Sequence, residues 1–153
     1  MITTEDLIRA DYYRPATIFC AEYTAISVPA LTSADLPFTL YSEEYGSIFE
    51  PAPGGLVRIK QRGLIGYSLR VEMQVAVAGY ARYNLFSSSS ELPLMAFSFP
   101  AIVNLLHQSG GIALMSAPGG VVDYSLRFTN FSSAVATVFS AELRMAYLGQ
   151  PDV

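Results

Sequence analysis

The chain has 153 residues, the length of a single domain, and is 52% hydrophobic but only 14% charged, whereas about 25% of residues are charged in a typical soluble domain. A net charge of −4 with Lys60 as the only lysine argues against direct binding to nucleic-acid phosphates. One cysteine and one histidine argue against an intrachain disulfide or a zinc site, and no apolar run approaches the roughly 20 residues that cross a bilayer. The expected partners therefore include neither nucleic acid nor a membrane, and no cofactor or metal is expected.

Residues 1–15 are predicted to form an arm in front of the main domain. A threonine can cap a short helical turn whose first residues, Glu5 and Asp6, suit the positive end of a helix. Pro15 ends the turn, because proline disfavours a helical conformation in the residue before it. Such an arm gains most by packing on a neighbouring protein and attaching the domain to a larger assembly. Its apolar side carries Leu7, Ile8, Tyr12 and Tyr13.

The segment up to residue 62 alternates between β-type and turn-type composition, with Val, Ile, Thr and aromatic residues in the first and Pro, Gly and Ser in the second. The predicted order is a strand over Thr17–Val28, a loop over Pro29–Pro37, a short strand over Phe38–Tyr41, a turn over Ser42–Gly46, an irregular Pro51–Gly55 and a strand over Leu56–Gln61.

The most regular stretch of the chain is Tyr67–Ala78. Every second residue is apolar, from Tyr67 and Leu69 onward, whereas Arg70 and Glu72 lie on the other side. Successive side chains of a strand point to opposite faces, so the stretch is predicted as an antiparallel strand with one buried and one wet face.

The second half of the chain continues this pattern. Pro100–Gln108 is ambiguous between strand and helix; a proline at its start and two glycines after its end favour one short helix near 100–108. The last strand, Val135–Leu148, is predicted to bury its odd-numbered residues. The other predicted strands are Tyr80–Phe86, Leu94–Phe99, Ile112–Ser116 and Val122–Thr129.

Eight or more short strands with turns between them predict an all-β, antiparallel β-sandwich or jelly roll. Because the turn signals are closely spaced and no linker interrupts them, residues 16–153 are expected to form this one domain after the arm.

Three runs resemble the middle of trimeric TNF-like and complement-head-like jelly rolls: Ile48–Pro51, Gly54–Ile59 and Gly66–Val71. In these families a Gly-Tyr pair opens the strand that runs through the middle of the trimer. The run Ala141–Leu148 is similar to their closing strand, which lies beside that strand. The resemblance covers about half of the chain, and it implies a jelly roll that assembles as a homotrimer.

No catalytic signature is found. His107 lies in an apolar segment without a nearby nucleophile, and the adjacent Glu43 and Glu44 suit a solvated turn better than an acid–base pair. Asn130-Phe131-Ser132 matches a glycosylation sequon but is interpreted as turn chemistry. We therefore expect no catalytic residues and no enzyme.

Elimination and resemblance together predict a non-enzymatic structural protein of a virus or phage particle, such as a decoration, spike or minor capsid component. It is expected to form a homo-oligomer, preferably a trimer, to contact other virion structural proteins, and to fold in the host cytoplasm because its acidic start does not resemble a signal peptide. The alternative is a TNF-like module that binds carbohydrate or protein through its loops. The residues predicted for the oligomer or partner interface are Leu7, Ile8, Tyr12, Tyr13, Tyr67, Leu69 and Tyr147.

Overall fold

Within the part of the chain that the structure describes, every regular element is a β-strand. No helix is present there, and in particular none long and apolar enough to cross a membrane. A computed structural model describes residues 16–44, 48–75, 77, 79–87, 90–101, 107–117 and 122–149, with side chains for all of these except 43–44, 90–101 and 107–117.

The twelve strands that these residues form vary greatly in length, from three residues to fourteen. In chain order they are β1 (Thr17–Glu22), β2 (Ile26–Val28), β3 (Ser33–Leu36), β4 (Leu40–Glu44), β5 (Phe49–Ala52), β6 (Leu56–Ile59), β7 (Gly63–Val75), β8 (Gly79–Ser87), β9 (Ser90–Ala101), β10 (His107–Ala117), β11 (Val122–Asn130) and β12 (Ala136–Gly149).

The strands form two antiparallel sheets. Sheet A has the spatial order β10-β7-β12-β1-β4, and β2 also pairs with β12. Sheet B has the order β5-β6-β11-β8-β9, and β3 also pairs with β11. Strand neighbours in space are mostly distant in sequence, as the predicted jelly-roll sandwich requires.

The two sheets enclose one hydrophobic core. The predicted alternation of β7 is confirmed, since Leu69, Val71 and Met73 are at most 2% exposed while Arg70 faces solvent. Sheet B contributes residues such as Phe128 from β11 to the same cluster. Each such side chain contributes about 1.5–3 kcal/mol when it is fully buried, so the alternation of β7 is a main source of stability.

The expected neighbour relation between the middle strand and the closing strand is confirmed. β12 pairs with β7 along nearly its whole length, with Leu143 opposite Leu69 and Met145 opposite Tyr67. Gly66 is the fourth residue of β7 and not its first, because the strand already begins at Gly63.

The predicted buried face of β12 is correct in the second half of the strand and wrong in the first. Ala136 and Val138 are buried there, whereas the predicted Val135 is 50% exposed. The pairing with β7 shifts between Val138 and Ser140, and from Ala141 onward the odd positions are buried. A β-bulge inserts one residue and so reverses the alternation of faces, which a regular pattern cannot anticipate.

The predicted helix near 100–108 is wrong at both of its ends. Pro100 and Ala101 belong to β9 and pair with β8, and His107 begins β10 opposite Met73 of β7. The backbone hydrogen bonds offered by two neighbouring strands outweigh the local helix signals. Because β9 is the outermost strand of its sheet, it also tolerates a proline. Residues 102–106 lie outside the described residues.

Three other boundaries differ from the sequence-based predictions. The predicted loop Pro29–Pro37 contains β3, and the predicted turn after Tyr41 begins as strand, since β4 continues to Glu44. Pro51 lies inside β5, where an irregular segment was predicted. β5 is at the edge of sheet B, and an edge strand can accommodate a residue without a backbone N–H. The predicted arm, 1–15, lies outside the described residues, so the division into an arm and a domain stays a prediction.

Candidate functional site

The outer face of sheet A has small side chains along its middle strands. Gly66 of β7 lies opposite Ala146 of β12, and Ala146 lies opposite Thr17 of β1. In the next row Ser68 lies opposite Arg144. Small side chains leave the backbone open to close approach, so another protein surface can pack tightly on this row.

A shallow groove crosses the same face between β12, β1 and β4. Its volume is about 350 Å³, and its lining includes Thr17, Phe19, Ser42, Arg144 and Ala146. The Arg144 guanidinium lies over the Phe19 ring at 4.7 Å from the ring centroid. The groove therefore combines an aromatic surface, three small side chains and one cation.

The outer face of sheet B is covered by paired charges. Arg58 donates from Nε to Asp123 Oδ1 at 2.7 Å and from Nη2 to Asp123 Oδ2 at 3.2 Å, a bidentate arrangement. It also donates from Nη1 to Glu50 Oε1 at 3.1 Å, and Lys60 Nζ is 3.4 Å from Glu50 Oε2. The hydrogen bond from Arg58, with a further contribution from Lys60, lowers the pKa of Glu50, while Asp123 and Glu50 raise the pKa of Arg58.

A second ion pair of sheet B joins β11 to β3. Arg127 donates from Nε to Asp35 Oδ1 at 2.8 Å, which raises the pKa of Arg127, and its guanidinium lies 4.6 Å from the centroid of the Phe86 ring. All four ion pairs that join residues with described side chains are on this outer face. Arg144, which stacks on an aromatic ring in the same way, takes part in none of them.

One end of the sandwich, which we call the loop end, exposes several large apolar side chains. Leu31 is 72% exposed, Tyr80 60%, Val135 50% and Phe131 47%. The three chain segments that carry them touch there, because Phe131 N donates to Tyr80 O and Asn130 N donates to Thr32 O. These four side chains form a candidate contact surface at one end of the domain.

Asn130 holds the loop end rigid. Its Nδ2 donates to the carbonyl oxygens of Val28, Pro29 and Ala134 at 2.7–3.3 Å, and its Oδ1 accepts from both the backbone N and the Oγ of Ser132. Asn130 is fully buried. The Asn-Phe-Ser sequence is thus turn chemistry, as predicted, and the loop end is shaped before any partner binds.

The residues predicted for an interface lie in different places. Tyr67 and Leu69 are in the core of the protomer, each 2% exposed. Tyr147 lies at the end of β12, where its hydroxyl donates to Arg62 O at 2.8 Å and accepts from Gln61 Nε2 at 3.3 Å. Leu7, Ile8, Tyr12 and Tyr13 lie outside the described residues. Tyr67, Leu69 and Tyr147 thus do not form one exposed surface in the structure. Their role in an interface stays a prediction.

The candidates for catalysis can be placed only in part. His107 begins β10 and Glu43 and Glu44 end β4, but their side chains are not among those described. Among the described residues, no three His, Cys, Asp or Glu side chains come close enough together to hold a metal ion. Burial raises the pKa of the core residue Tyr67 and of the partly buried Tyr41 to about 12.

Sequence reasoning missed the groove around Phe19 and Arg144. The two residues are 125 positions apart, and only the pairing of β1 with β12 places them opposite each other. The alternation of β12 did indicate that Arg144 faces outward, between buried Leu143 and Met145. Nothing in the sequence indicates that β1, which carries Phe19, lies beside β12 on the side away from β7.

The two-sheet topology agrees with known structures. No protein-family model and no curated protein sequence matches the chain. Among solved structures, it is similar to Eiger TNF from S. frugiperda (TM-score 0.66, 11% identity, 92% of this chain and 97% of that one). It is also similar to murine APRIL, with a TM-score of 0.61 and 11% identity over 88% of this chain and 100% of that one. A third similar structure is the globular domain of zebrafish complement 1qA protein, with a TM-score of 0.56 and 14% identity over 90% of this chain and 100% of that one. The predicted resemblance to TNF-like and complement-head-like domains is therefore confirmed at the level of the fold: the chain folds as a β-sandwich similar to these domains.

Proposed function

We propose that this module assembles as a homotrimer through the outer face of sheet A and serves as a non-enzymatic structural component of a virus or phage particle. The observation that carries the self-association is the contrast between the two outer faces. On sheet B, Arg58, Lys60 and Arg127 are paired with carboxylates, and Arg82 stacks on Phe131 outside these pairs. Sheet A presents small residues and a groove beside Arg144, which is in none of these pairs, and in the following row Arg70 lies opposite Glu142. A face of this kind is suited to burial against another copy, and closed symmetry limits the assembly to a defined size.

The threefold state and the particle role have further support from the sequence. The resemblance of Gly66–Val71 and Ala141–Leu148 to trimeric jelly rolls favours three copies. A charge-poor composition favours a chain that is surrounded by other proteins. In this proposal the protein acts by packing and position alone, contacts other virion proteins, and resides in the assembled particle.

Two measurements, made one after the other, test the proposal. Light scattering on the purified chain should give the mass of three 16.6 kDa copies, and a monomer at micromolar concentration would contradict self-association. Quantitative mass spectrometry of purified particles should then find the chain in multiples of three. If the chain forms trimers but is absent from every purified particle, the proposed self-association stands and the proposed role in a virus or phage particle is wrong.

The loop end supports a second candidate, a module that binds carbohydrate or protein through its loops. Exposed Tyr80 and Phe131 offer rings on which a sugar or an apolar side chain can stack, and the Arg82 guanidinium lies 5.6 Å from the centroid of the Phe131 ring. A glycan array compares the parent chain with Phe131→Ser, and Leu40→Ser, at an exposed apolar position of sheet A, serves as the control. A hit that only Phe131→Ser abolishes would favour this candidate.

A further inference from the structure

The groove on sheet A lies beside the place where the chain enters the sandwich. Ala16, the first described residue, accepts a hydrogen bond from Tyr147 N at 2.9 Å, and the next residue, Thr17, already lines the groove. The described part of the chain therefore begins at this end of sheet A, next to the groove. Any segment that covers the groove in the assembled protein has this part of a chain within reach.

The chemistry of the groove defines what it can bind. The Phe19 ring and the side chains of Thr17 and Ala146 offer apolar contact, and Ser42 is an exposed hydroxyl. Arg144 is exposed and is in none of the four ion pairs, and Glu142, two positions before it on the same face, accepts a hydrogen bond from the Tyr23 hydroxyl instead. The guanidinium of Arg144 can therefore still bind a carboxylate. A guanidinium that is already stacked on a ring is well placed for a hydrogen-bonded carboxylate pair. The suitable occupant is an acidic residue followed by aliphatic ones.

The N-terminal arm contains that combination. Glu5 and Asp6 are followed directly by Leu7 and Ile8. We propose that this acidic-aliphatic stretch of one copy occupies the groove of a neighbouring copy, with a carboxylate facing Arg144 and an aliphatic side chain against Phe19. The inference rests on the proposed self-association and names the segment that covers the open part of the interface.

The neighbour's groove is favoured over the arm's own groove by the local geometry of the chain. To enter its own groove the arm would have to reverse direction between Pro15 and Thr17. Proline has a fixed φ and biases the residue before it toward an extended conformation, which disfavours such a tight reversal. Leu7 is nine residues from Ala16, and nine extended residues span up to about 30 Å, which is about twice the radius of gyration of a domain of this size, about 15 Å.

Cysteine cross-linking of the full-length chain tests the placement. Leu7→Cys and Ser42→Cys are combined in one chain and treated with a short bis-maleimide, and the products are separated under denaturing conditions. We expect covalent dimers and trimers that neither single variant forms. Native Cys20 is buried and should not react. The matched control combines Leu7→Cys with Ser125→Cys, which lies on the outer face of sheet B, and should give no covalent oligomer.

The outcomes separate this inference from the proposed trimer. Cross-links within one chain only, identified by peptide mapping, would overturn the placement on a neighbour. Trimers by light scattering without any cross-link would also overturn it while leaving the proposed self-association standing. A monomer by light scattering would overturn both.

Charge reversal gives an independent readout. Arg144→Glu should weaken self-association about tenfold, or about 1.4 kcal/mol, and adding Glu5→Lys and Asp6→Lys to the same chain should restore it. Arg127→Glu, which alters the arginine stacked on Phe86 of sheet B, should leave self-association unchanged. If Arg144→Glu weakens self-association and the two lysine substitutions do not restore it, the groove contacts something other than the arm.

Discussion

The outer faces of the two sheets each carry an arginine stacked on a phenylalanine ring, but the surroundings of the two arginines differ. Each has an arginine stacked on a phenylalanine ring at nearly the same distance, 4.7 Å for Arg144 over Phe19 and 4.6 Å for Arg127 over Phe86. On sheet B the arginine also binds Asp35, and a bidentate cluster around Arg58 covers the neighbouring strands. On sheet A the corresponding arginine borders a groove and a row of small residues.

This difference indicates what each face requires. Charges that are hydrogen-bonded within the chain are satisfied in water, so the ion pairs of Arg58 and Arg127 on sheet B need no second copy. A face of small residues with a cation outside the ion pairs gains free energy when another surface covers it. The comparison predicts that substitutions on sheet A act on assembly, while those on sheet B act on the stability of the single chain.

The largest effect is expected from a bulky charge on the middle strand of sheet A. Ala146→Arg places a long cationic side chain in the small-residue row and should weaken self-association at least about 100-fold, or about 2.7 kcal/mol. Analytical ultracentrifugation across a concentration series measures it. Ser125→Arg is the matched control, because it introduces the same side chain at a half-buried outward position of the middle strand of sheet B. Equal losses for both variants would break the comparison.

The two stacked arginines give the next test. Arg144→Leu should weaken self-association about tenfold, about 1.4 kcal/mol, with little change in the unfolding of the single chain. Arg127→Leu should do the reverse and lower the free energy of unfolding by no more than about 1 kcal/mol, because its partner Asp35 is 55% exposed and screened by solvent. Urea titration and ultracentrifugation on both variants give a two-by-two comparison. Both properties changing together in either variant would contradict it.

A substitution inside sheet A separates stability from assembly on one strand. The hydroxyl of Tyr67 is buried and has no hydrogen-bond partner among the described side chains and backbone, and burial raises its pKa to about 12. Tyr67→Phe removes this uncompensated group and should raise the free energy of unfolding by about 1 kcal/mol at pH 7 without altering the oligomer. Loss of the trimer in this variant would instead support the sequence-based assignment of Tyr67 to the interface.

The same variant has a defined pH dependence. The folded-state pKa is above the ordinary value of 10.0, so the unfolded chain loses the Tyr67 proton first as the pH rises. The contribution of the tyrosine is intact below pH 10 and is lost toward pH 12, by up to about 1.4 kcal/mol per pH unit. The advantage of Tyr67→Phe should therefore grow between pH 10 and 12. The control is Tyr41→Phe. The Tyr41 hydroxyl donates to Leu56 O at 2.9 Å, so this substitution removes a hydrogen bond and should lower the free energy of unfolding at pH 7.

The sequence predicted the buried layer of the fold better than its surfaces. The alternation of β7 identified Leu69, Val71 and Met73 as core, because period-two burial depends only on neighbours in the chain. The phase of β12 before Ser140 and the strand ends at Pro100 and His107 were wrong, since a bulge and the ladders with β7 and β8 decide them. Those interactions are between residues far apart in sequence.

For the candidate surfaces, the sequence predicts the outward position of single residues but not which residues lie next to one another. The outward position of Arg144 follows from alternation, but its contact with Phe19 depends on which strand lies beside β12. The loop end was equally hidden, because Leu31, Tyr80 and Phe131 come from three separate segments that meet through backbone hydrogen bonds. By contrast Asn130 and Ser132 are two positions apart, and their turn was predicted correctly.

The smallest expected effect concerns the charges of sheet B at acid pH. The hydrogen bond from Arg58 holds the pKa of Glu50 below its ordinary value of 4.5, so the folded chain binds fewer protons here than the unfolded chain in mildly acidic solution. The stabilisation is present above the ordinary pKa and is lost as the pH falls through the lowered one. Glu50→Gln should lower the urea midpoint at pH 7 and approach the parent chain near pH 3. A double-mutant cycle with Arg58→Met, measured at both pH values, isolates the pair. A coupling that stays the same at acid pH, or that appears in the trimer equilibrium instead, would show that the face of sheet B is not completed within the single chain.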